Sequence, residues 1–210
     1  MKVQKVPAAT DHSTEEKIKN AARIMFHKKG YAGTRTRDIA DEAGINLALL
    51  NYYFRSKEKL FGIIMLESLE SFRITMMAVI NDENTSLEKK IETIVSNYID
   101  LLIHQPEIPL FILSELRSNP EMLISKMNPK KVLQNSSFSK QFKEKAAAGK
   151  ITDINPVHFI INLISMIVFP FIGSPILKNA TNMPQQEFNS LMLERKVLIP
   201  KWIKLMLKGK

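Results

Sequence analysis

The sequence predicts an all-α protein. Three observations carry this: strand-like alternation of apolar and polar residues is nearly absent, helix start and stop signals recur, and apolar residues return every three to four positions. Leu87, Ile91, Ile94, Val95, Tyr98, Leu101 and Leu102 are the clearest such run. In a chain of 210 residues with 45% hydrophobic side chains there is enough apolar surface for a sizeable core. About nine helices are expected from the boundary signals.

The first opens at Ser13, with Glu16 three residues on as a capping box. Ile18, Ala22, Met25 and Phe26 form its buried stripe, and Lys28-Lys29-Gly30 closes it. Thr34 or Arg35 precedes a short helix at about 36–43, ended by Gly44. Asn46 caps a third helix through Phe54, and Ser56 caps a fourth to about residue 80. Thr85 and Glu88 make a second capping box before the Leu87 stripe. Pro106 and Pro109 start a helix to about Arg117, Asn119-Pro120 starts another, and Asn128-Pro129 either kinks or restarts it before Gly149. Asn155-Pro156 opens an apolar helix, and the last runs from about Pro184 to Leu207 with a kink at Pro200.

Charge and composition narrow the functional classes. Lys and Arg number 30 against 21 acidic residues, a net charge of +9, and residues 1–60 hold 12 of the basic and 7 of the acidic groups. A polyanionic partner fits that balance. There is no cysteine, which removes disulfides, thiolate metal sites and a Cys nucleophile and suits a reducing cytoplasm. Residues 1–12 are polar where a secretory signal needs an apolar stretch, so a flexible N-terminal tail is expected and not an export signal. The apolar run at 159–177 has the length of a membrane span, but Pro170, Gly173 and Pro175 interrupt it. A buried or subunit-interface helix is expected there, with a membrane-attached protein as the rival.

Two short helices around a tight turn at Gly44, within about 20 residues, have the spacing of a helix-turn-helix. Ile39, Ala40 and Ala43 give the first an inner face; Ile45, Leu50 and Phe54 do the same for the second. Leu47, Ala48, Leu49, Asn51, Tyr52 and Tyr53 are left to point outward, flanked by Arg35, Arg37, Arg55, Lys57 and Lys59. A helix entering the major groove needs this mixture: Arg37 suits guanine, the apolar groups suit thymine methyls, and tyrosine hydroxyls and lysine suit phosphates.

The stretch GYAGTRTRDIADEAGINLALLNYYFRSKEKLF closely resembles the N-terminal domain of the TetR family of bacterial transcriptional regulators. The similarity extends back through AARIMFHKKG and covers about residues 13–62 without gaps. It implies domains at 13–60, a helix-turn-helix DNA-binding domain, and at 61–210, a larger helical domain for effector binding and dimerisation. It implies a DNA-contacting set at about 34–54 and just beyond: Thr34, Arg35, Thr36, Arg37, Asn46, Leu47, Ala48, Leu49, Tyr52, Tyr53 and Lys57. Thr36, Tyr52, Tyr53 and Lys57 fall at phosphate-contacting positions, Leu47, Ala48 and Leu49 at base-reading ones. The sequence departs from the family pattern at Ala48, Asn51 and Tyr53, where Gly, Tyr and His are common.

The resemblance also implies a homodimeric, ligand-responsive repressor that reads a near-palindromic operator in double-stranded DNA. Its dimer helices correspond here to about 156–170 and 184–207, whose apolar surface exceeds what one core-facing stripe requires. An effector pocket is expected among the middle helices, with Tyr98, His104, Glu115, Arg117 and His158 as candidates and a hydrophobic or amphipathic small molecule as the occupant. An enzyme is the rival from another class. His12, His27, His104 and His158 lack metal-ligand spacing, and no G-x-S-x-G or phosphate-cradling glycine loop exists, so no catalytic residue, metal or cofactor is expected.

Overall fold

A computed structural model of the chain describes residues 10–127, 130, 135–151 and 155–208. Among them lie eleven helices and no strand: α1 (Thr10–Gly33), α2 (Thr36–Ala43), α3 (Leu47–Phe54), α4 (Lys57–Asn81), α5 (Leu87–His104), α6 (Ile108–Ser118), α7 (Pro120–Met127), α8 (Ser137–Ala147), α9 (Pro156–Ile172), α10 (Ser174–Thr181) and α11 (Gln185–Lys208). Among the described residues that is two more than the boundary signals gave. After Pro120, where a helix kinked or restarted at Asn128-Pro129 is expected, the described residues hold α7 and α8, and Gly173 splits α10 from the apolar helix before it. The Asn128-Pro129 step lies outside the described residues.

The chain divides into two compact units, one ending at Leu69 and one starting at Glu70, with α4 running from the first into the second. In the first, α1 lays Ile18, Ala22, Met25 and Phe26 into the core together with Ile39 and Ala40 of α2, Leu50 and Phe54 of α3, and Leu60 and Ile64 of α4. Burying each large aliphatic side chain contributes roughly 1.5–3 kcal/mol relative to exposure. Polar ties add direction. Lys19, almost wholly buried, donates to Glu67 Oε1 at 2.8 Å and also pairs with Glu16, while Arg23 pairs with the other Glu67 oxygen. These contacts fix α1 on α4.

Two expected caps are corrected. Helix α1 begins at Thr10, so residues 10–12 are helical and Ser13 lies inside the first turns, where Glu16 is drawn to Lys19 instead of reaching back. The cap of α5 is Ser86, whose Oγ accepts from the Lys89 N–H at 3.2 Å; Thr85 lies one position too early, and Glu88 pairs with Lys145 across to α8.

In the second unit α5 is central. It buries Leu87, Ile91, Ile94, Val95, Ile99 and Leu102, and α8, α9 and α11 pack around it. Lys90 sits on this same apolar face and is fully buried. Its ammonium donates to the carbonyls of Asp82 and Thr85, the latter at 2.6 Å, and to Gln141 Oε1 of α8 at 3.2 Å. Those acceptors offset the desolvation that would otherwise make a buried lysine costly. They also close the α4–α5 loop and clamp α8.

Among the described residues no single helix is long and apolar enough to cross a membrane; α9 and α10 together have the composition but bend by 62° at Gly173. Pro170 does not end α9. It stays inside the helix, and Pro175 enters the first turn of α10, where a missing N–H costs nothing.

Candidate nucleic-acid interface

Local chemistry builds the α2–turn–α3 element. Arg35 is extended (φ −99°, ψ 151°), and its N–H donates to Asp38 Oδ2 at 2.9 Å, so the carboxylate at the third helical position caps α2. Lys29 lies 3.2 Å from the same carboxylate. The Arg35 N–H first, and Lys29 second, hold the Asp38 carboxyl below its ordinary pKa. Gly44 then takes a left-handed conformation (φ 64°, ψ 35°), and the next N–H, of Ile45, returns to Ala40 O at 3.0 Å. One residue on, Asn46 Oδ1 accepts from the Leu49 N–H at 2.8 Å and opens α3.

Helix α3 is fixed by Leu50 and Phe54, at 0% and 4% exposure. Around them the helix presents Ala48, Asn51 and Tyr52 to solvent, with Tyr52 77% exposed, while Leu47, Leu49 and Tyr53 are half-buried. The Tyr52 and Tyr53 rings meet edge to face at 5.4 Å between centroids. Arg35 and Arg37 are exposed on and before α2, with Thr36 half-buried between them. Arg55 ends α3 at φ 56°, an uncommon backbone conformation for a non-glycine residue, and holds an exposed guanidinium just past the aromatic pair. Ser56 Oγ then accepts from the Lys59 N–H at 3.2 Å and starts α4.

Two residues of the expected contact set occupy structural positions. Thr34 is 1% exposed, and its hydroxyl lies 2.7 Å from Gly30 O and 3.0 Å from Met25 O, so the side chain joins the end of α1 to α2 and has no open surface. The Lys57 ammonium donates to Tyr31 O at 2.9 Å and Thr34 O at 3.0 Å and stands 4.2 Å over the Tyr31 ring. Both residue types suit phosphate; here backbone carbonyls take their donors. Sequence reasoning passes over Tyr31, which organises this corner. Its ring packs on Phe26 and Phe61, and its hydroxyl donates to Glu58 Oε1 at 3.0 Å. Burial, then that carboxylate, pushes the Tyr31 phenol up.

The geometry offers what groove reading needs: a short rigid helix with a capped N-terminus, a protruding aromatic and small-residue face, and cations on both sides. The model of bacterial regulatory proteins of the tetR family matches residues 18–62, the whole of this element with its supporting helix. Residues 18–62 are thus similar to the DNA-binding domain of that family. A probable HTH-type transcriptional regulator, YttP of Bacillus subtilis, is 24% identical over 178 residues, covering 83% of this chain and 85% of that one. The transcriptional repressor NicS of Pseudomonas putida is 30% identical over 102 residues, 49% of this chain and 48% of that one. In three dimensions a TetR transcription regulator from Haloarcula marismortui superposes with a TM-score of 0.64 over 94% of this chain and all of the other, at 17% identity. The relatives are thus HTH-type transcriptional regulators, and the chain shares with them an N-terminal helix-turn-helix and a larger helical C-terminal part.

The five polar candidates of the middle helices are dispersed. Tyr98 packs its ring 4.8 Å from Phe72, and burial pushes its phenol up to about 12. His104 is exposed with Nδ1 at 2.7 Å from Asp100 O; Arg117 and His158 are exposed, and Glu115 is half-buried. None of the five lines either of two cavities in this unit. One of those is apolar, about 130 Å³, and walled by Ile80, Ile94, Phe138, Phe142, Phe159 and Leu163. Among the described residues no group of three or more His, Asp or Glu is placed to hold a metal ion.

Proposed function

We propose that this regulator is a homodimeric, ligand-responsive repressor whose two α3 helices read the halves of a near-palindromic operator. The observation that carries the proposal is the outward face of α3, where Ala48, Asn51 and Tyr52 are exposed beside Leu47, Leu49 and Tyr53, between Arg37 and Arg55. Leu47, Ala48 and Leu49 supply apolar contact to base edges, Arg37 a bidentate donor, and Thr36, Arg35, Tyr52 and Tyr53 contacts to the backbone. Asn46 Oδ1 is engaged as the helix cap, which supports a positioning role for it.

Dimerisation is supported by α9 and α11. Leu191, Leu198 and Leu205 recur every seven residues along α11, with Trp202 beside them, and Leu205 is 63% exposed. On α9, Ile161 and Phe169 are exposed at 53% and 65%. So much open apolar surface on two adjacent helices fits a two-fold four-helix contact.

The apolar cavity supports a hydrophobic effector. At about 130 Å³ it is smaller than ordinary ligand sites, so an effector must push its walls apart. One wall is Ile80, at the end of α4, and α4 starts directly after the α3 helix. A ligand there favours one position of α4 over another and so changes DNA affinity by its differential binding to the two states.

Selection of bound sequences from random DNA tests the central claim. The expected product is a near-palindrome whose binding weakens steeply with salt. Failure to enrich any sequence, or affinity indifferent to salt, would overturn it. Sedimentation at micromolar concentration should show a dimer, and a monomer would remove the two-fold arrangement.

A further inference from the structure

A larger cavity in the second unit shares no wall with the apolar one. It is a groove of about 950 Å³ between α5, the C-terminal half of α11 and the residues after α8. Its floor is aliphatic: Ile91, Ile151, Ile203 and Leu207 are each under a tenth exposed. Its rim is cationic, with seven lysines against two glutamates. Both glutamates already have partners, Glu88 with Lys145 and Glu92 with Lys89 at 3.2 Å, and Lys196 is held by Asp100. Among the described residues Lys150, Lys201, Lys204 and Lys208 have no carboxylate within ion-pair distance. The last three stand on α11 at spacings of three and four residues, which brings them to one side of the helix.

We propose that this groove binds an anionic amphiphile, with the apolar chain along the Ile91–Ile203–Leu207 floor and a phosphate or carboxylate head among Lys150, Lys204 and Lys208. Four lysines without a carboxylate partner among the described residues line one groove over an aliphatic floor, and an anion with an apolar body offsets their like charge while its chain lies along that floor. The volume lies within the range of small-molecule sites. The groove also opens on a different flank of α11 from Leu191, Leu198 and Leu205, since positions 197, 204 and 208 lie well around the helix from those leucines. Occupancy therefore does not compete with the proposed dimer contact, and the proposal stands or falls separately from the effector reading.

Titration calorimetry of the full chain with dodecyl phosphate below its micelle concentration tests the proposal. Inorganic phosphate and dodecyltrimethylammonium are the head-only and opposite-charge arms, and vesicles of anionic phospholipid distinguish a membrane source from a soluble one. Dodecyl phosphate is expected to bind more tightly than either small probe, and the vesicles to bind no better than neutral ones. Lys150→Glu with Lys204→Glu should weaken dodecyl phosphate by about tenfold or more, whereas a charge reversal at Lys140, exposed and outside the groove, should not. Equal binding of all three probes, or equal loss in the Lys140→Glu variant, would overturn the site. Tight binding to the vesicles alone would overturn the soluble ligand.

Discussion

Arg195 of α11 takes over a hydrogen bond that Pro170 of α9 cannot make. Its Nη2 donates to Met166 O at 2.8 Å. Four residues after Met166 an ordinary helix supplies an N–H to that carbonyl, but position 170 is proline and has none. The guanidinium lies 5.2 Å from the Trp202 ring, and burial pushes its pKa down from the usual arginine value. Replacing Arg195 by Leu should leave the Met166 carbonyl short of a donor and cost about 1–3 kcal/mol. In a Pro170→Ala background the backbone N–H returns, and the same replacement should cost about 1 kcal/mol less. Urea unfolding of the four proteins measures this coupling; strictly additive losses would show that the proline and the arginine are unrelated.

Thr34 gives a second separable prediction. Its one hydroxyl proton is shared between Gly30 O and Met25 O in the interior. Thr34→Val keeps the shape and removes the donor, so it should destabilise the first unit by about 1–2 kcal/mol, while Thr34→Ser should recover most of that. The salt dependence of DNA binding should be the same in both. A reduced salt slope in Thr34→Val would return this residue to the phosphate-contacting set.

What was legible in the sequence is what short-range rules govern. Gly44, Asn46, Ser56 and Asn155 set helix ends by contacts within five residues, and their roles could be read from residue type and spacing. The stripe Ile18, Ala22, Met25 and Phe26 was legible because a helix face needs no partner to define it. Lys90 was not: a lysine between Leu87 and Ile91 breaks the apolar pattern, and only Gln141, distant in sequence, and the returning loop show why it is tolerated inside. Lys57 and Thr34 are the same case, since a residue type suited to phosphate is equally suited to a carbonyl. The effector candidates failed to converge because isolated polar residues on separate helices carry no spacing signal, while the aromatic wall at Phe138, Phe142 and Phe159 looks like any core.

The leucines of α3 should separate by burial. Leu50 is wholly buried, and Leu50→Ala should cost about 2–5 kcal/mol. Leu47 and Leu49 are half-buried, so each truncation should cost about 1 kcal/mol, more than an exposed position would, and should also change the preferred operator sequence. Urea midpoints and a repeat of the DNA selection give both readouts. Equal destabilisation by all three would mean that α3 is rotated about its axis and turns a different face to the core.

Asp38 makes a prediction about acid. Its pKa in the folded chain is depressed, so its ionised form is favoured by folding, and the stabilisation is present above the ordinary value of 3.8 and lost as pH falls through the lower folded value. Asp38→Asn should lower stability at neutral pH and flatten the decline below about pH 4. The difference between wild type and variant in unfolding curves should therefore be smaller at pH 3 than at pH 7. A constant difference at both pH values would mean that the amide forfeits only a hydrogen bond and not a charge.

Lys57 offers the sharpest division between architecture and recognition. The resemblance to the family places its ammonium on phosphate, whereas the folded chain directs it to Tyr31 O and Thr34 O, over the Tyr31 ring. Charged donors held by two carbonyls are worth about 1.5–3 kcal/mol each, less here because the side chain is only half-buried. Lys57→Met retains the stem and removes the charge, so it should lower the urea midpoint and loosen the α1–α2 corner. If the ammonium held a DNA phosphate, the same variant would reduce the slope of log affinity against log salt by about one, whereas a positioning role leaves that slope unchanged while weakening all operators alike. The expected result is the unchanged slope. A slope reduced by about one with no change in urea midpoint would show that the ammonium leaves its carbonyls for DNA.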